Sequence, residues 1–413
     1  MALAAATINS EVEIALDEKP ELWIEEVAPG NPVVESAEFA YRKTNIVQVS
    51  DEGVRMAAKH IHEKLEMESY SPRTWRSHPL HICPVEPYSP AEPLNKACLN
   101  WIFLVSALNF SFWSEREGQA DRYGVLWQEG WKSPRPKLWT GYWSLVASLN
   151  RAFQDDSIPI TDPNFYSSET LCPDSLIEYV FRPAEGCSET IPLLPQRISV
   201  MREVGYILCQ GFGGSFQGLL DEFQRQHNGE GTALQLVQLV TDTFPSFRDE
   251  VYFEGQRVCL WKRAQILVAE TWAAFYPAPP QTTHPLFPGP VGPAIHQLTM
   301  FADYRVPQIL HHLRILSYPP SLLRLLRAGT MLAPGSREEL SLRAASVVAV
   351  ERVRAEMLTL HAGKDSADNA VSSVLIDFYL WDLAKKVERG EERIEGLETA
   401  DMVPTHRTRS IWY

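Results

Sequence analysis

The chain has 413 residues, 45% hydrophobic and 22% charged, enough to bury a large core as one large domain or a few smaller ones. A formal net charge of -14 and a pI near 5.3 exclude a generic binder of duplex nucleic acid and leave room only for a local basic pocket. No apolar run is long enough to span a bilayer, and the opening stretch MALAAATINSEVEIALDE lacks the basic start of a signal peptide.

Residues 1–45 are acidic and carry Pro20, Pro29, Gly30 and Pro32, which predicts a loosely ordered extension before a domain over residues 46–413. From Asp51, Val54, Ala57, Ile61 and Leu65 fall at helical spacing. Residues 70–95 are rich in Ser and Pro and predict a long loop carrying Trp75, His78 and His81. The two histidines lack the second ligand pair that a zinc site needs. Residues 94–113, LNKACLNWIFLVSALNFSFW, are apolar nearly all round, the pattern of a helix in the middle of a fold. Residues 114–137 contain Gly118, Gly124, Gly130, Pro134 and Pro136 and read as an inserted loop. A helix over 139–153, turns over 160–166 and a short helix over 171–181 follow.

Residues 194–208 are amphipathic, and the GFGGSF run after them reads as a helix end and tight turn; it matches no phosphate-loop pattern. A helix over 233–243 precedes a short hairpin over 251–260 that turns at Glu254–Gly255. The stretch WKRAQILVAETWAAF predicts a strongly apolar helix. On it, Lys262 shares a face with Ile266, Ala269 and Ala273, so its ammonium either ends an apolar stripe or snorkels to water. Residues 276–294 are Pro-rich and predict an irregular connector. Helices near 319–328, 336–362 and 370–388 lead to a tail ending RTRSIWY, whose aromatic end predicts a packed terminus. The six cysteines include no C-x-x-C pair, as expected of reduced thiols in the cytosol or nucleus. With no alternation of strands and helices, the expectation is a mainly α, single multi-helix domain with at most a small β-hairpin.

Residues 298–313, LTMFADYRVPQILHHL, combine functional side chains with a helix start. Pro307 suits a first helical turn, and Ile309, Leu310, Leu313 and Leu316 recur at helical spacing. Asp303, Tyr304 and Arg305 then stand just before a helix N-terminus, whose positive dipole end favours a carboxylate at Asp303. A carboxylate among aromatics there suits a developing cation. It equally suits a helix cap or a pair with Arg305.

Seven segments in order resemble the queuosine salvage family, the queuosine-5′-phosphate N-glycosylase/hydrolases. They are LNFSFWSE (108–115), TGYWSLVASLNRA (140–152), PLLPQRISVMREVGYIL (192–208), FGGSF (212–216), FPSFRDEVYFEGQRVCLWKRAQILVAETW (244–272), TMFADYRVPQIL (299–310) and LIDFYLWDLA (375–384). The likeness runs over residues 50–413; the acidic extension, the 114–137 loop and the 276–294 insertion depart from it. It implies an all-α domain resembling helix-hairpin-helix DNA glycosylases. It also implies hydrolysis of the glycosidic bond of queuosine 5′-monophosphate, which frees queuine for reuse in transfer RNA. No cofactor, metal, membrane or stable nucleic-acid complex is implied. The resemblance makes Asp303 the catalytic candidate and places Lys262 and His81 with the substrate.

N-glycoside hydrolysis passes through an oxocarbenium-like state, which a fixed carboxylate such as Asp303 stabilises while orienting water. A flat base needs aromatic faces: Phe110, Phe112, Trp113, Phe301 and Tyr304 are candidates, two or three of them expected at the ligand, with Ser111 in the same segment. Lys262, Arg263 and Arg305 are the cations for a 5′-phosphate. The cyclopentenediol and its ammonium call for His81, Asp377 or Asp382. The two aspartates would point roughly 140° apart on a helix, so at most one is expected to face the pocket. The competing readings are a non-catalytic binding protein for queuine or a related nucleotide, and a DNA glycosylase, which the acidic charge disfavours.

Overall fold

The computed structural model describes residues 30–278, 283–288, 294–360 and 371–413. The helices, in chain order, are α1 (Pro32–Thr44), α2 (Asp51–Met67), α3 (Pro93–Ala107), α4 (Tyr142–Phe153), α5 (Pro163–Ser167), α6 (Asp174–Val180), α7 (Leu194–Gly211), α8 (Phe216–Gln226), α9 (Ala233–Thr243), α10 (Lys262–Ala274), α11 (Val306–His312), α12 (Pro320–Arg327), α13 (Arg337–Leu360) and α14 (Ser373–Glu388). Among the described residues the strands form only two-stranded antiparallel pairs. These are β1 (Gln48–Val49) with β6 (Leu316–Ser317), β2 (Gly124–Gly130) with β3 (Ser133–Thr140), and β4 (Glu250–Phe253) with β5 (Gln256–Cys259). The fold is therefore mainly helical, as its sequence predicts, but it has three small strand pairs where at most one small hairpin was expected.

The core forms around α3 and α10, which pack on each other. Every residue of α10 is buried, and so is every residue of α3 from Cys98 to Ala107. An apolar surface all round a helix has nowhere else to go. The predicted helix over 94–113 nevertheless stops at Ala107. Two buried arginines from distant segments take the carbonyls that another turn would use. Arg263 donates to Ala107 O, and Arg197 donates to Leu108 O and Phe110 O. Residues 109–113 thus leave the helix and pass along the C-terminal tail, where Ser111, at φ 52, donates its N–H to Tyr413 O at 2.9 Å.

Three further expectations are corrected. The part of the acidic extension that is described is ordered: Asn31 caps α1 by accepting from Val33 and Val34, and Val33, Ala37 and Ala40 are buried where α1 packs on α13. Residues 1–29 lie outside the described residues. The inserted loop over 114–137 contains most of the β2–β3 hairpin, with Val125 and Trp127 buried and Leu126 exposed between them. Pro134 and Pro136 are tolerated there because β3 has a neighbour on one edge only. The third correction is α8, unforeseen after the GFGGSF turn, where Ser215 accepts from Gly218 N–H. The turn itself is as predicted, with Gly213 and Gly214 at positive φ and Gly214 N–H donating to Leu208 O.

The hairpin at 250–259 also agrees, turning through Glu254 at φ 46 and Gly255 at φ 82. Of the Pro-rich connector, residues 279–282 and 289–293 lie outside the described residues. The tail packs as its last residues predict, with Tyr413 buried and its hydroxyl donating to Glu339 at 2.8 Å.

Candidate active site

Six segments, with the C-terminal Tyr413, converge on a cavity of about 390 Å³. The loop after α2 brings Trp75, His78 and His81, and the exit of α3 brings Asn109 and Phe112. The start of α4 contributes Tyr142 and Trp143; α10 contributes Lys262, Ile266 and Glu270; residues 301–305 come from before α11. One broad side of α14 closes the wall with Asp377, Phe378, Trp381, Asp382 and Lys385. The spacing explains the two helical contributions. Residues four apart lie on one face, so Lys262, Ile266 and Glu270 line up on α10, and Asp377, Trp381 and Lys385 on α14.

Asp303 is buried, and one of its oxygens is fully engaged: Oδ1 accepts from Arg305 N–H at 2.7 Å and Val306 N–H at 2.9 Å. The capping role and the cavity-facing role that the sequence left as alternatives therefore coexist. Oδ2 accepts no hydrogen bond from any described residue. The segment is held from behind, because Arg343 donates to Ala302 O at 2.8 Å while pairing with Asp249 at 2.5 Å. Asp249 also accepts from Lys262 N–H at 3.2 Å, so one buried ion pair fixes both the start of α10 and the Asp303 loop.

Lys262 does not snorkel. It is buried, and its ammonium donates to Asn109 O at 3.2 Å and Asn109 Oδ1 at 3.0 Å. Burial lowers it to about 8, against the upward pull of Asp303 and Asp377. Asp377 accepts from Phe301 N–H at 2.9 Å. Burial first, then the Asp303 carboxylate, pushes Asp377 well above the usual carboxylate range. Burial also lifts Glu270 to about 7, against the pull of Lys262. Beside Glu270 stand the Tyr142 hydroxyl and the Trp75 indole N–H, neither of which has a hydrogen-bond partner of regular geometry. Asp382 accepts from the Tyr70 hydroxyl at 3.4 Å and is raised by burial. Both Asp377 and Asp382 thus line the cavity, where sequence spacing allowed one. The cavity is wide enough to meet more than one row of α14.

Aromatic faces build the rest. His81 stacks on Trp75 with ring centroids 4.0 Å apart, and His78 stacks on Trp143 at 3.6 Å. His81 Nδ1 lies 2.6 Å from Trp75 O, and burial lowers the imidazole to about 4, so it is neutral at ordinary pH. Of the stacking candidates, Phe112, Phe301 and Tyr304 line the cavity. Phe110 and Trp113 do not: Phe110 lies beneath the guanidinium groups of Arg197 and Arg263, and Trp113 donates to Thr408 O at 2.8 Å with Arg409 over its ring. Ser111 also stands behind the wall, donating its hydroxyl to Ser410 O at 3.0 Å. Arg263, offered as a phosphate ligand, spends its donors on Ala107 O and Ser246 O.

Sequence reasoning missed Glu270, His78, Tyr142, Trp143, Trp381 and Lys385. Glu270 was within reach, because it follows Lys262 and Ile266 at four-residue steps. His78 and Trp143 meet only through tertiary contact.

The family described as queuosine salvage protein matches residues 89–413. A mouse protein named queuosine 5′-phosphate N-glycosylase/hydrolase is 37% identical over 386 residues, 92% of this chain and 98% of its own. A protein of that name from Schizosaccharomyces pombe is 37% identical over 382 residues, 92% of this chain and 99% of its own. Another, from Sphaerobacter thermophilus, is 34% identical over 318 residues, covering 77% of this chain and 82% of its own.

Proposed function

The chain belongs to the queuosine salvage protein family, and from that premise we propose that it hydrolyses the N-glycosidic bond of queuosine 5′-phosphate, releasing queuine. The observation that carries the reading is Asp303: a carboxylate clamped through one oxygen, its other oxygen free, at the wall of an aromatic cavity. As the bond from C1′ to the base lengthens, positive charge grows on the ribose ring. A carboxylate already in place stabilises that charge without reorganising. It also holds the attacking water, accepting its proton as the oxygen joins C1′. The base leaves with the glycosidic electron pair and takes up a proton; the products are queuine and ribose 5-phosphate.

The aromatic faces suit the flat base. Glu270, with its raised carboxyl group, and the Tyr142 hydroxyl and Trp75 indole N–H beside it suit hydrogen bonds to its polar edge. Asp382, paired with Tyr70, suits the cyclopentenediol arm. Lys262 balances the carboxylates around it. Phe110, Ser111 and Trp113 support the wall and do not touch ligand. For the architecture we propose kinship with the helix-hairpin-helix DNA glycosylases; what supports it is a helix-built cavity with an aspartate at a loop–helix junction. The binding-protein alternative has no use for Asp303 Oδ2. Incubation with queuosine 5′-phosphate and mass spectrometry of the products decides: free queuine is expected, and recovery of intact nucleotide refutes the enzyme reading.

A further inference from the structure

The hold on the Asp303 segment continues beyond the Asp249–Arg343 pair. Arg343 reaches the segment through one bond, from its Nε to Ala302 O at 2.8 Å. A guanidinium is a rigid planar fork, so the aim of Nε follows the plane of the whole group. Its two terminal nitrogens meet Asp249 at 3.1 and 2.5 Å, which fixes the fork within its plane. The tilt of the plane depends on what lies against its face. The Tyr413 ring lies there, 4.0 Å from Arg343 Cζ.

That ring is itself pinned. The Tyr413 hydroxyl donates to Glu339 Oε1 at 2.8 Å, and the same oxygen stands 3.4 Å from a terminal nitrogen of Arg343. His406 Nε2 lies 3.0 Å from the hydroxyl. Burial first, then Arg343, pushes His406 down to about 3, so the imidazole is neutral. The hydroxyl spends its only proton on Glu339, so the bond to His406 needs the ring hydrogen on Nε2. Glu339 Oε2 accepts from Gly335 N–H at 3.0 Å. Glu339, Arg343, His406 and Tyr413 are all buried, and Tyr413 also lines the cavity while the other three stand behind it. Packing alone has no need of such a hydroxyl, since a buried phenol costs desolvation that a phenyl ring does not. A fully bonded polar network in a dry interior fixes the orientation of its members.

We propose that Tyr413 is a positioning residue for the hydrolysis: bonded to Glu339 and His406, it holds the Arg343 guanidinium and, through Ala302 O, aims the Asp303 carboxylate at the sugar. This rests on the hydrolase reading above.

The test uses the full-length wild type, Tyr413→Phe and Glu339→Gln, with melting curves alongside. Phe keeps the ring against Arg343 and removes the hydroxyl that pins it. Gln keeps an acceptor for the hydroxyl and removes the acid beside Arg343; it carries the same test if the Phe variant folds poorly. Tyr413→Phe should lower kcat for queuine release from queuosine 5′-phosphate about three- to tenfold, the size of one hydrogen bond, with KM near wild type. Made in Asp303→Asn, it should cost nothing further, because no carboxylate is left to aim. Amide exchange at Arg305 and Val306, whose N–H groups donate to Asp303, should quicken by a similar factor, while the amides of α8, which packs on α3 and α7, keep their rates. An unchanged kcat, an equal loss in both backgrounds, or exchange that quickens evenly along the chain overturns the proposal. So does a raised KM at unchanged kcat, which would make Tyr413 a ligand contact. If the wild type releases no queuine, the hydrolase reading has failed, and exchange still decides about the hold on the Asp303 segment: quickening confined to Arg305 and Val306 supports it, and unchanged rates overturn it.

Discussion

Asp303→Asn separates the two jobs of one carboxylate. Oδ1 accepts the Arg305 and Val306 amides at 2.7 and 2.9 Å, and the Oδ1 of an asparagine can accept both in the same way. The start of α11 therefore keeps its cap, and stability should change by less than ~1 kcal/mol, the usual worth of such a cap. The substitution falls instead on Oδ2, where a negative oxygen becomes an NH₂ group. That group cannot take the proton of water and offers no charge to the oxocarbenium ion. The barrier should rise by at least ~3 kcal/mol, over a hundredfold in kcat. Asp303→Ala loses both functions, so it should lose the same activity and also about 1 kcal/mol of stability. The assay is queuine release at saturating queuosine 5′-phosphate, with urea unfolding of all three proteins. A near wild-type rate for Asp303→Asn would refute the reasoning, and so would an Asn variant as unstable as the Ala variant.

Glu270 gives a pH signature. Its carboxyl group titrates at 4.5 when unfolded and at about 7 when folded, so between those values the folded state holds the extra proton. Glu270 should make stability fall as pH rises through that window, by about 3 kcal/mol at 1.36 kcal/mol per unit, and Glu270→Gln should remove that share of the fall; parallel stability curves for the two proteins from pH 4 to 8 would count against it. A chain beginning at Gly30 should melt higher than one beginning at Ile46, because the latter lacks α1 and the buried side chains of Val33, Ala37 and Ala40, worth at least ~2 kcal/mol; equal melting would show that α1 contributes nothing. Lys262→Ala should slow the nucleotide and nucleoside reactions together, since its neighbours are carboxylates; a loss confined to the nucleotide would return the phosphate to Lys262.

What was legible in the sequence was local. Apolar periodicity placed α10 and α14, Pro307 placed the start of α11, and Glu254–Gly255 placed the turn of the β4–β5 hairpin. What was not legible depends on residues far apart in the chain. The end of α3 is one case, since its apolar run continues through Trp113 and only Arg197 and Arg263, from α7 and α10, take the carbonyls beyond Leu104 that further turns would need. Phe110 and Trp113 could not be told from the cavity-lining aromatics for the same reason: an aromatic cluster looks alike in sequence whether it faces a cavity or a buried guanidinium. The β2–β3 hairpin was hidden because Pro134 and Pro136 mask a strand that is in fact an edge. One of Asp377 and Asp382 was expected to face away because a helix was treated as presenting one narrow face.

On the proposed reading, the distribution of charge around the cavity orients the substrate. At one end Lys262 sits among Asp303, Asp377 and Glu270; burial pushes the carboxyl groups of Asp377 and Glu270 up, which limits the repulsion among three acids around one ammonium. Elsewhere on the wall Lys385 faces the start of α4, and Arg305 pairs with Glu388 at 2.7 Å. Asp303 and Arg305 belong to one short segment, two residues apart, which in extended chain is roughly 7 Å. A single ribose can bridge such a gap, its C1′ toward the carboxylate and its 5′-carbon toward the cations. A chain of net charge -14 tends to repel a nucleotide, so on the proposed reading local cations must stand where the phosphate ends up. On the proposed reading, a phosphate held away from Asp303 leaves its second carboxylate oxygen to act on the sugar and not against the substrate's own charge.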